Sequence, residues 1–589
     1  MKQSSCLGTA FQSCQKVRLG SFMYQSRVLP QDLINTLPEA CIAEIFKHLE
    51  SHEDRQSCAS VCWRWADILV SQRPEFWGPI NVHEAVHHCL HLSDVDDAKL
   101  VAAVVGIHTR DMVTDLDLCH GPREAVFAGA PQLTDSTIRF VTIACRNLKS
   151  VCLVNCLSLT NKAAWIIATN CPELENLVML QSSISDSGLS QVAKQCRNLK
   201  SLHIQGNLSI TEVSLRALVQ DAKRLKSLKS LTLGSCPQIG EDAILSLLMN
   251  QPYLHRLELK GMMAGELHWS GARQSSSLRH CCLFRQLSSL ILVKCPGLQD
   301  MCMLKFARFY FRMLQHLVID DCKGVTERGL MWLVGDALNP MKLKTIKLAR
   351  FHFFTSAAVM KVMSLFRETI ESITLDSCDF GVIMPLHLDG FVPWSCPKLK
   401  VIRMEHCERI MYLFLSWVDM VCHGLKEIRL IGCPAPVRDY SISSRLGNIL
   451  INNRIAKIEL RSFHIRDMHV CLLAQSSMEA LQELILDDCP NISGDFAGFL
   501  RVHCPNLIKL GFNRVQINND VIESLMTGGF EHLEELNLMG CPLITDTILL
   551  ILTLLPLPKL RRVNLLHCLS VDRDAVCEFL NNNGWEIKY

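Results

Sequence analysis

Cysteine is the residue whose abundance first demands a chemical account. The chain of 589 residues holds 29 of them, together with 22 histidines. Thiolates and imidazoles at close spacing hold zinc, a thiolate beside an imidazole is a nucleophile, and paired thiols become disulfides. Spacing decides among these. No C-x-x-C pair occurs anywhere in the chain, and that is the spacing structural zinc sites most often use. The local clusters His87-His88-Cys89-Leu90-His91 and His280-Cys281-Cys282 each lack a second ligand pair, so no metal or other cofactor is expected. With no phosphate-cradling glycine loop and no nucleophile elbow, no residue is assigned as catalytic and the chain is read as non-catalytic.

Bulk composition narrows the setting. The chain is 49% hydrophobic and 20% charged, which suits a well-packed chain and argues against extended disorder. A formal net charge of +2 offers no global attraction to nucleic acid or an anionic membrane, so neither is expected as a partner. Met1 to Leu29 carries Lys2, Lys16, Arg18 and Arg27 with no acid before Asp32, loosely like a mitochondrial transit peptide. The plainer reading is a flexible leader over residues 1–33. Without the apolar core of a secretory signal, a reducing cytosol or nucleus is expected, where disulfides are rare. The most apolar run, Ile548 to Leu557, is too short to span a bilayer.

The cysteines follow a period. The frame L-x-x-L-x-L-x-x-C recurs at Leu533-Leu536-Leu538-Cys541, Leu560-Val563-Leu565-Cys568, Leu481-Leu484-Leu486-Cys489 and Leu425-Ile428-Leu430-Cys433. It returns with Cys407, Cys322, Cys295, Cys236 and Cys156, and Thr369-Ile370 opens a copy that keeps Cys378. Copies without the cysteine start at Val113, Leu174, Leu199, Leu254, Leu343, Ile455 and Leu507. About seventeen copies at roughly 26-residue spacing fall in the range of leucine-rich repeats. Each alternation is a short strand with every second side chain buried. A helix should follow, opened by a hydroxyl and an acid, as in Leu133-Thr134-Asp135, Ile184-Ser185-Asp186, Ile210-Thr211-Glu212, Val325-Thr326-Glu327 and Ile544-Thr545-Asp546. A second cysteine closes many helices, at Cys145, Cys171, Cys196, Cys396, Cys422 and Cys504. A thiol there is a small buried hydrophobe with a weak donor. Single units cannot bury their apolar faces, so neighbours must stack.

Residues 34–77 are different in kind. Pro38 suits a helix start, and Ile42, Ile45, Phe46 and Leu49 fall on one helical face. Cys58, Val61, Cys62, Trp65, Ile68 and Leu69 make a second apolar stripe. Some forty residues cannot bury so much apolar surface internally, which points to a partner. Leu37-Pro38-Glu39, Ile45-Phe46-x-x-Leu49, Asp54, Val61-Cys62-x-x-Trp65 and Trp77 resemble the F-box. With cysteine-type repeats behind it, the chain resembles the F-box and leucine-rich-repeat family over about residues 34–589.

The resemblance implies an α/β fold: a small helical F-box followed by a curved leucine-rich-repeat solenoid of about seventeen strand-helix units. It implies a substrate-recognition subunit of a Skp-cullin-F-box ubiquitin ligase. The F-box residues Leu37, Pro38, Glu39, Ile42, Ile45, Phe46, Leu49, Val61, Cys62 and Trp65 would dock a Skp-type adaptor, which bridges to a cullin-RING scaffold. The repeats would hold an as yet unnamed protein substrate for ubiquitination and proteasomal degradation. The alternative is a repeat scaffold that binds partners without promoting their degradation.

The expected layout is a leader at 1–33, the F-box at 34–77, a linker helix region at 78–112 and the solenoid at 113–589, with loops at 261–286 and 379–395. The final Trp585 and Ile587 read as a capping strand. Between the two inward leucines, successive strands present Lys347, Thr374, Arg403 and Arg429, with Arg350, His406 and Arg461 close by. Two readings stand: a basic patch for an acidic or phosphorylated segment, or a solvated face neutralised by Asp376, Glu405, Glu427 and Glu459.

Overall fold

The computed structural model describes residues 38–588 apart from 47, 49–64, 66–67, 69–88, 94–96, 98–99, 102–103, 105–112, 120–132, 221–226, 252, 263–285, 308–312, 336–341, 352–355, 379–394, 408–413, 415–417, 434–447, 450–452, 464, 528–529, 556, 573–574 and 577–585. The leader and most of both expected loops lie outside these residues. The chain divides into two compact units, Met1–Tyr253 and Leu254–Tyr589.

In the first unit, helix α1 (Glu39–Phe46) precedes strands β1 (Cys89–Ser93), β2 (Asp115–Cys119), β3 (Ser150–Val154), β4 (Asn176–Leu180), β5 (Ser201–Gln205) and β6 (Ser230–Gly234). Between and after them come α2 (Asp135–Ala144), α3 (Asn161–Asn170), α4 (Asp186–Gln195), α5 (Glu212–Gln220) and α6 (Glu241–Asn250). Strands β1 to β6 pair in chain order, all parallel. Strand β1 lies inside the segment expected to be a joining helix. Its Leu90 and Leu92 alternate as in the later copies, but the frame opens on His87 instead of an aliphatic and has Val95 at the post-strand cysteine position.

In the second unit, β7 (Arg256–Lys260), β8 (Ser289–Val293), β9 (His316–Asp320), β10 (Thr345–Ala349), β11 (Ser372–Asp376), β12 (Val401–Glu405) and β13 (Glu427–Ile431) run in order. They continue through β14 (Lys457–Arg461), β15 (Glu483–Asp487), β16 (Lys509–Gly511), β17 (Glu535–Asn537), β18 (Arg562–Asn564) and the closing β19 (Glu586–Lys588). Every neighbour pair is parallel. The helices here are α7 (Asp300–Ala307), α8 (Glu327–Val334), α9 (Ser356–Phe366), α10 (Asp467–Ser477), α11 (Ala497–His503), α12 (Asn519–Met526) and α13 (Thr547–Leu554). Each of the seventeen copies read from the sequence is one of the strands β2 to β18.

Burial follows the alternation. Second and fourth strand positions are inward, for instance Leu202 and Ile204 on β5 and Ile428 and Leu430 on β13, all at most 2% exposed. Each such side chain contributes roughly 1.5–3 kcal/mol of apolar burial. After most strands one residue turns left-handed, among them Asn155, Gln181, Lys294, Arg350 and His406 with φ between 49° and 58°. Its N–H still reaches the next strand, as Asn155 does to the Leu180 carbonyl at 2.9 Å. The kink then drops the following cysteine inward. Cys378 Sγ donates to the Leu348 and Asp376 carbonyls at 3.4 and 3.5 Å, and Cys541 Sγ to the Phe512 carbonyl at 2.7 Å. Where the cysteine is missing, Asn207 takes its place: it accepts from the Ser182 N–H at 2.8 Å and donates to the Met179 carbonyl.

The helix starts are built differently from the simple cap expected. The hydroxyl of Thr326 does cap α8, accepting from the Arg328 N–H, but Thr134 and Ser185 make no such bond. The first-turn acid of one repeat instead binds the next. Asp135 accepts from the Thr160 N–H and hydroxyl at 2.9 and 2.6 Å, Asp186 from those of Thr211 at 2.8 and 2.6 Å, and Asp300 from those of Thr326 at 2.7 and 2.6 Å. Such charge-assisted stitches contribute about 1.5–3 kcal/mol each. Gly329 makes room for one, because a Cβ there would lie 2.2 Å from Asp300 Oδ1.

Candidate interaction surfaces

The first, third and fifth strand positions make the strand face of each unit, where half-buried side chains stand beside buried ones such as Val154, Thr232, Ala349 and Ile431. In the second unit they are densely charged. The registers align Lys347, Thr374, Arg403, Arg429 and Glu459 across β10 to β14. The expected cations do come together, and acids come with them. Arg403 Nε lies 2.7 Å from Glu427, and Arg429 Nε lies 3.1 Å from Glu405 and 3.3 Å from Glu459. Arg461 reaches Asp487 at 2.9 Å, Arg350 pairs with Asp320 and Asp321, and His406 stands 3.9 Å from Asp376. Lys347 has no acid within ion-pair distance among the described residues. The hydrogen bond that Arg403 donates to the Glu427 carboxylate holds its guanidinium above its usual pKa. Burial pushes the Glu459 carboxyl above its usual value, against the pull of Arg429 and Arg461.

A second row went unread in the sequence. The first strand positions Glu427, Lys457, Glu483, Lys509, Glu535, Arg562 and Glu586 alternate in sign across β13 to β19, each opposite the next. Lys457–Glu483 at 2.5 Å, Lys509–Glu535 at 2.7 Å and Arg562–Glu535 at 3.4 Å are the pairs that result. Opposite charges directly across neighbouring strands are mildly stabilising. Here the acids answer the bases locally, so the face is a mixed-charge lattice rather than a basic patch.

The first unit differs. Strands β3 to β6 present Ser150, Cys152 and Val154, then Asn176, Val178 and Leu180, then Ser201, His203 and Gln205, then Ser230, Thr232 and Gly234. None of these is Asp, Glu, Lys or Arg. Charge gathers instead one residue ahead of the strands, at Lys149, Glu175, Lys200 and Lys229, with Lys200 and Glu175 paired at 2.6 Å.

At the N-terminal end, Pro38 sits just before α1 and its carbonyl accepts from the Cys41 and Ile42 N–H groups at 2.9 and 3.2 Å. Ile42, Phe46 and Ile68 are buried at 0, 2 and 5% exposure. Phe46 meets the half-buried Trp65 edge to face, with ring centroids 5.2 Å apart. The other side of α1 faces outward: Pro38, Ala40, Cys41 and Glu44 are exposed, and Ile45 is an exposed aliphatic at 38%.

A family model described as F-box-like matches residues 34–78. Among curated proteins, a transport inhibitor response 1-like protein of Oryza sativa subsp. japonica is 24% identical over 67% of this chain and 68% of its own length. F-box protein SKIP17 of Arabidopsis thaliana is 28% identical over 24% of this chain and 30% of its own. The F-box/LRR-repeat protein 4 of Bos taurus is also 28% identical, over 27% of this chain and 24% of its own. The chain thus carries an F-box-like module followed by strands and helices that repeat in the leucine-rich-repeat pattern.

Within the F-box, the residues expected at an adaptor contact divide into two groups. Pro38 and Ile45 face outward, while Ile42, Phe46 and Trp65 pack against one another's side of the module. Leu37, Leu49, Val61 and Cys62 lie outside the described residues, as does the side chain of Glu39. The repeat cysteines are buried and unpaired by disulfide among the described residues. Burial pushes the Cys171, Cys196, Cys504 and Cys541 thiols up to about 12, so they stay protonated. A protonated, buried thiol is inert as a nucleophile. Cys145, Cys171, Cys196 and Cys504 stand at helix C-caps, each returning its N–H to the helix.

Proposed function

We propose that this protein is the substrate-recognition subunit of a Skp-cullin-F-box ubiquitin ligase. The observation that carries the reading is the F-box-like module at 34–78, joined in one chain to stacked leucine-rich repeats. Its apolar residues split by role. Ile42, Phe46, Trp65 and Ile68 hold the helices together, and Pro38 and Ile45 remain free for a Skp-type adaptor, which would link the chain to a cullin-RING scaffold. The repeats hold a protein substrate for ubiquitination, with the transfer chemistry supplied by other subunits, so the chain itself is non-catalytic. On this reading the protein works in the cytosol or nucleus, where a cullin-RING scaffold would meet it. Among the described residues, no helix is long and apolar enough to cross a membrane.

Ile45 gives a clean test. It is exposed on α1, so Ile45→Glu leaves the packing of Ile42 and Phe46 intact while placing a charge in the contact. Co-purification with the Skp-type adaptor is expected to disappear for Ile45→Glu, and equally for Leu37→Ala combined with Pro38→Ala. Full adaptor binding by both variants would refute the reading.

A further inference from the structure

Helices that cross back between parallel strands bring their carbonyl ends to the edge where the strands begin, and a cation at that edge ordinarily serves those carbonyls. At the entry to β12, β13 and β14 the carbonyls are served from within the chain. The Val418 carbonyl accepts from the Cys422 N–H and the Val421 carbonyl from the Cys396 N–H, both at 2.9 Å. Asn453 Nδ2 donates to the Cys422 and Ile449 carbonyls at 3.1 and 2.9 Å, while Asn453 Oδ1 accepts from the Leu425 N–H at 2.9 Å. The same edge nevertheless carries Lys398, Lys400, Lys426 and Arg454, all exposed. Among the described residues none of the four has a carboxylate within ion-pair distance. The acids close by are engaged elsewhere: Glu371 faces Lys344 at 3.9 Å, Glu427 holds Arg403 at 2.7 Å and Glu483 holds Lys457 at 2.5 Å. Lys426 Nζ does donate to the Arg454 carbonyl at 3.4 Å, a neutral partner that leaves its charge in place.

The turns stack in register. The Lys400 carbonyl accepts from the Lys426 and Glu427 N–H groups at 2.8 and 3.0 Å, so Lys400 and Lys426 hold the same place on adjoining strands, about 4.8 Å apart along the sheet. By the same count Lys398, Gly424 and Arg454 make a second row, and Gly424, with no side chain, leaves its middle open. In the first unit the matching place is held by Lys149, Glu175 and Lys200, where the acid stands between the bases and pairs with Lys200 at 2.6 Å. Like charges on neighbouring strands are unfavourable, and an anion laid over them removes that cost.

We propose that the strand-entry edge of β12 to β14 binds a short run of aspartates and glutamates in the captured protein, through Lys398, Lys400, Lys426 and Arg454. This rests on the reading of the repeats as a substrate holder, and it moves the acidic ligand from the strand face, where acids answer the bases, to the edge, where they do not. Carboxylates accept charge-assisted hydrogen bonds from ammonium and guanidinium groups. The length of the patch selects the class of ligand. It spans three strands, about 10 Å, the reach of three or four extended residues. Beyond it on one side stand Glu368 and Glu371, and on the other Glu479 and Glu483. A nucleic-acid duplex or an anionic lipid surface extends past these limits and meets the acids, whereas a short acidic segment lies wholly within them.

The test uses the full chain bound to its adaptor and a displayed library of random peptides as probe. Selected peptides should be enriched in Asp and Glu, and their binding should weaken as salt rises. Lys400→Glu combined with Lys426→Glu should weaken them by roughly tenfold or more, while Arg561→Glu, at the entry to β18, should leave binding as it was. Lys400→Gln combined with Lys426→Gln should keep or slightly raise the thermal transition, because repulsion is relieved and every helix-end carbonyl keeps its donor. A lowered transition in that variant would assign the cations to the helix ends and overturn the proposal. So would selection without acidic enrichment, no enrichment over an unrelated protein, or acidic peptides indifferent to the double charge reversal. Tighter binding of a DNA duplex or of phosphatidylserine vesicles, lost on the same reversal, would likewise replace the acidic segment with another ligand. Adaptor binding is read in the same samples. Its loss on Ile45→Glu concerns the ligase reading alone, and its persistence throughout shows that any failure belongs to the edge.

Discussion

The strand faces of the two units share one backbone rule and differ in what they do with its free positions. On β3 to β6 the first, third and fifth side chains are uncharged, whereas from β12 onward charges of both signs pair across the strands, as in Arg403–Glu427 and Lys509–Glu535, and the first positions of β13 to β19 alternate in sign. Inward positions are nearly interchangeable, with Leu202 and Leu430 both at 0% exposure. The difference teaches that stacking constrains only half of each strand. The other half is free to be spent on recognition or on self-pairing, and a face whose charges satisfy one another has less left to offer a ligand.

The largest effect should come from the half that does not differ. Leu202→Ala and Leu430→Ala should each cost about 2–5 kcal/mol, read by chemical denaturation, because each leaves a cavity between stacked repeats. A cost confined to one of them would break the comparison, showing that the units differ inside as well as on their faces.

The stitches should respond to acid. Burial raises the Asp186 carboxyl, but the Ser214 and Thr211 hydroxyls and their N–H groups outweigh it and hold the group below its ordinary value. With the folded value depressed, its stabilisation is fully present above the ordinary aspartate value of about 3.9 and disappears as pH falls through the folded value. Asp186→Ala should therefore destabilise the first unit by roughly 2 kcal/mol at neutral pH, with a deficit that shrinks in acid. Urea titrations of both proteins across that range would show it, and a deficit independent of pH would assign the effect to packing alone.

The smallest effect belongs to the charged rows. Lys509→Glu sets like charges side by side with Glu483 and Glu535 and should cost about 1 kcal/mol, mostly recovered at high salt. A salt-insensitive loss would mean that Lys509 acts through its methylenes, and the lattice would then be less electrostatic than its geometry suggests.

The strands were legible because two inward aliphatics and a cysteine recur at fixed offsets, and that pattern is the packing itself. Strand β1 escaped because its copy has His87 where the frame opens on an aliphatic as well as Val95 where the cysteine would stand. The left-handed residue after each strand had no visible signature: Asn, Gln, Lys, Asp, Arg, Ser and His all occupy it, since the surrounding ladder imposes the conformation. The basic patch looked coherent when one position per strand was read. The acids that answer it, with Glu405, Glu427 and Glu459 already offered as neutralisers by the sequence, stand at first, third and fifth positions, and only the register shows which cation each one meets. In the F-box, periodicity marked Ile42, Ile45 and Phe46 as one stripe, but not that Ile45 would be left outside.

The acid-to-hydroxyl stitch gives each repeat a direction. Its acceptor belongs to one repeat and its donors to the next, so a repeat is a tile with unlike edges that match only head to tail. Asp135, Asp186 and Asp300 thus make the array extensible in whole steps. A complete repeat can be duplicated or excised by recombination and the new neighbours still fit, whereas a cut through the middle strands a carboxylate on one side and a hydroxyl on the other. Growth of such a chain is quantised in repeats, and its free surface is the part that selection can rewrite between one length and the next.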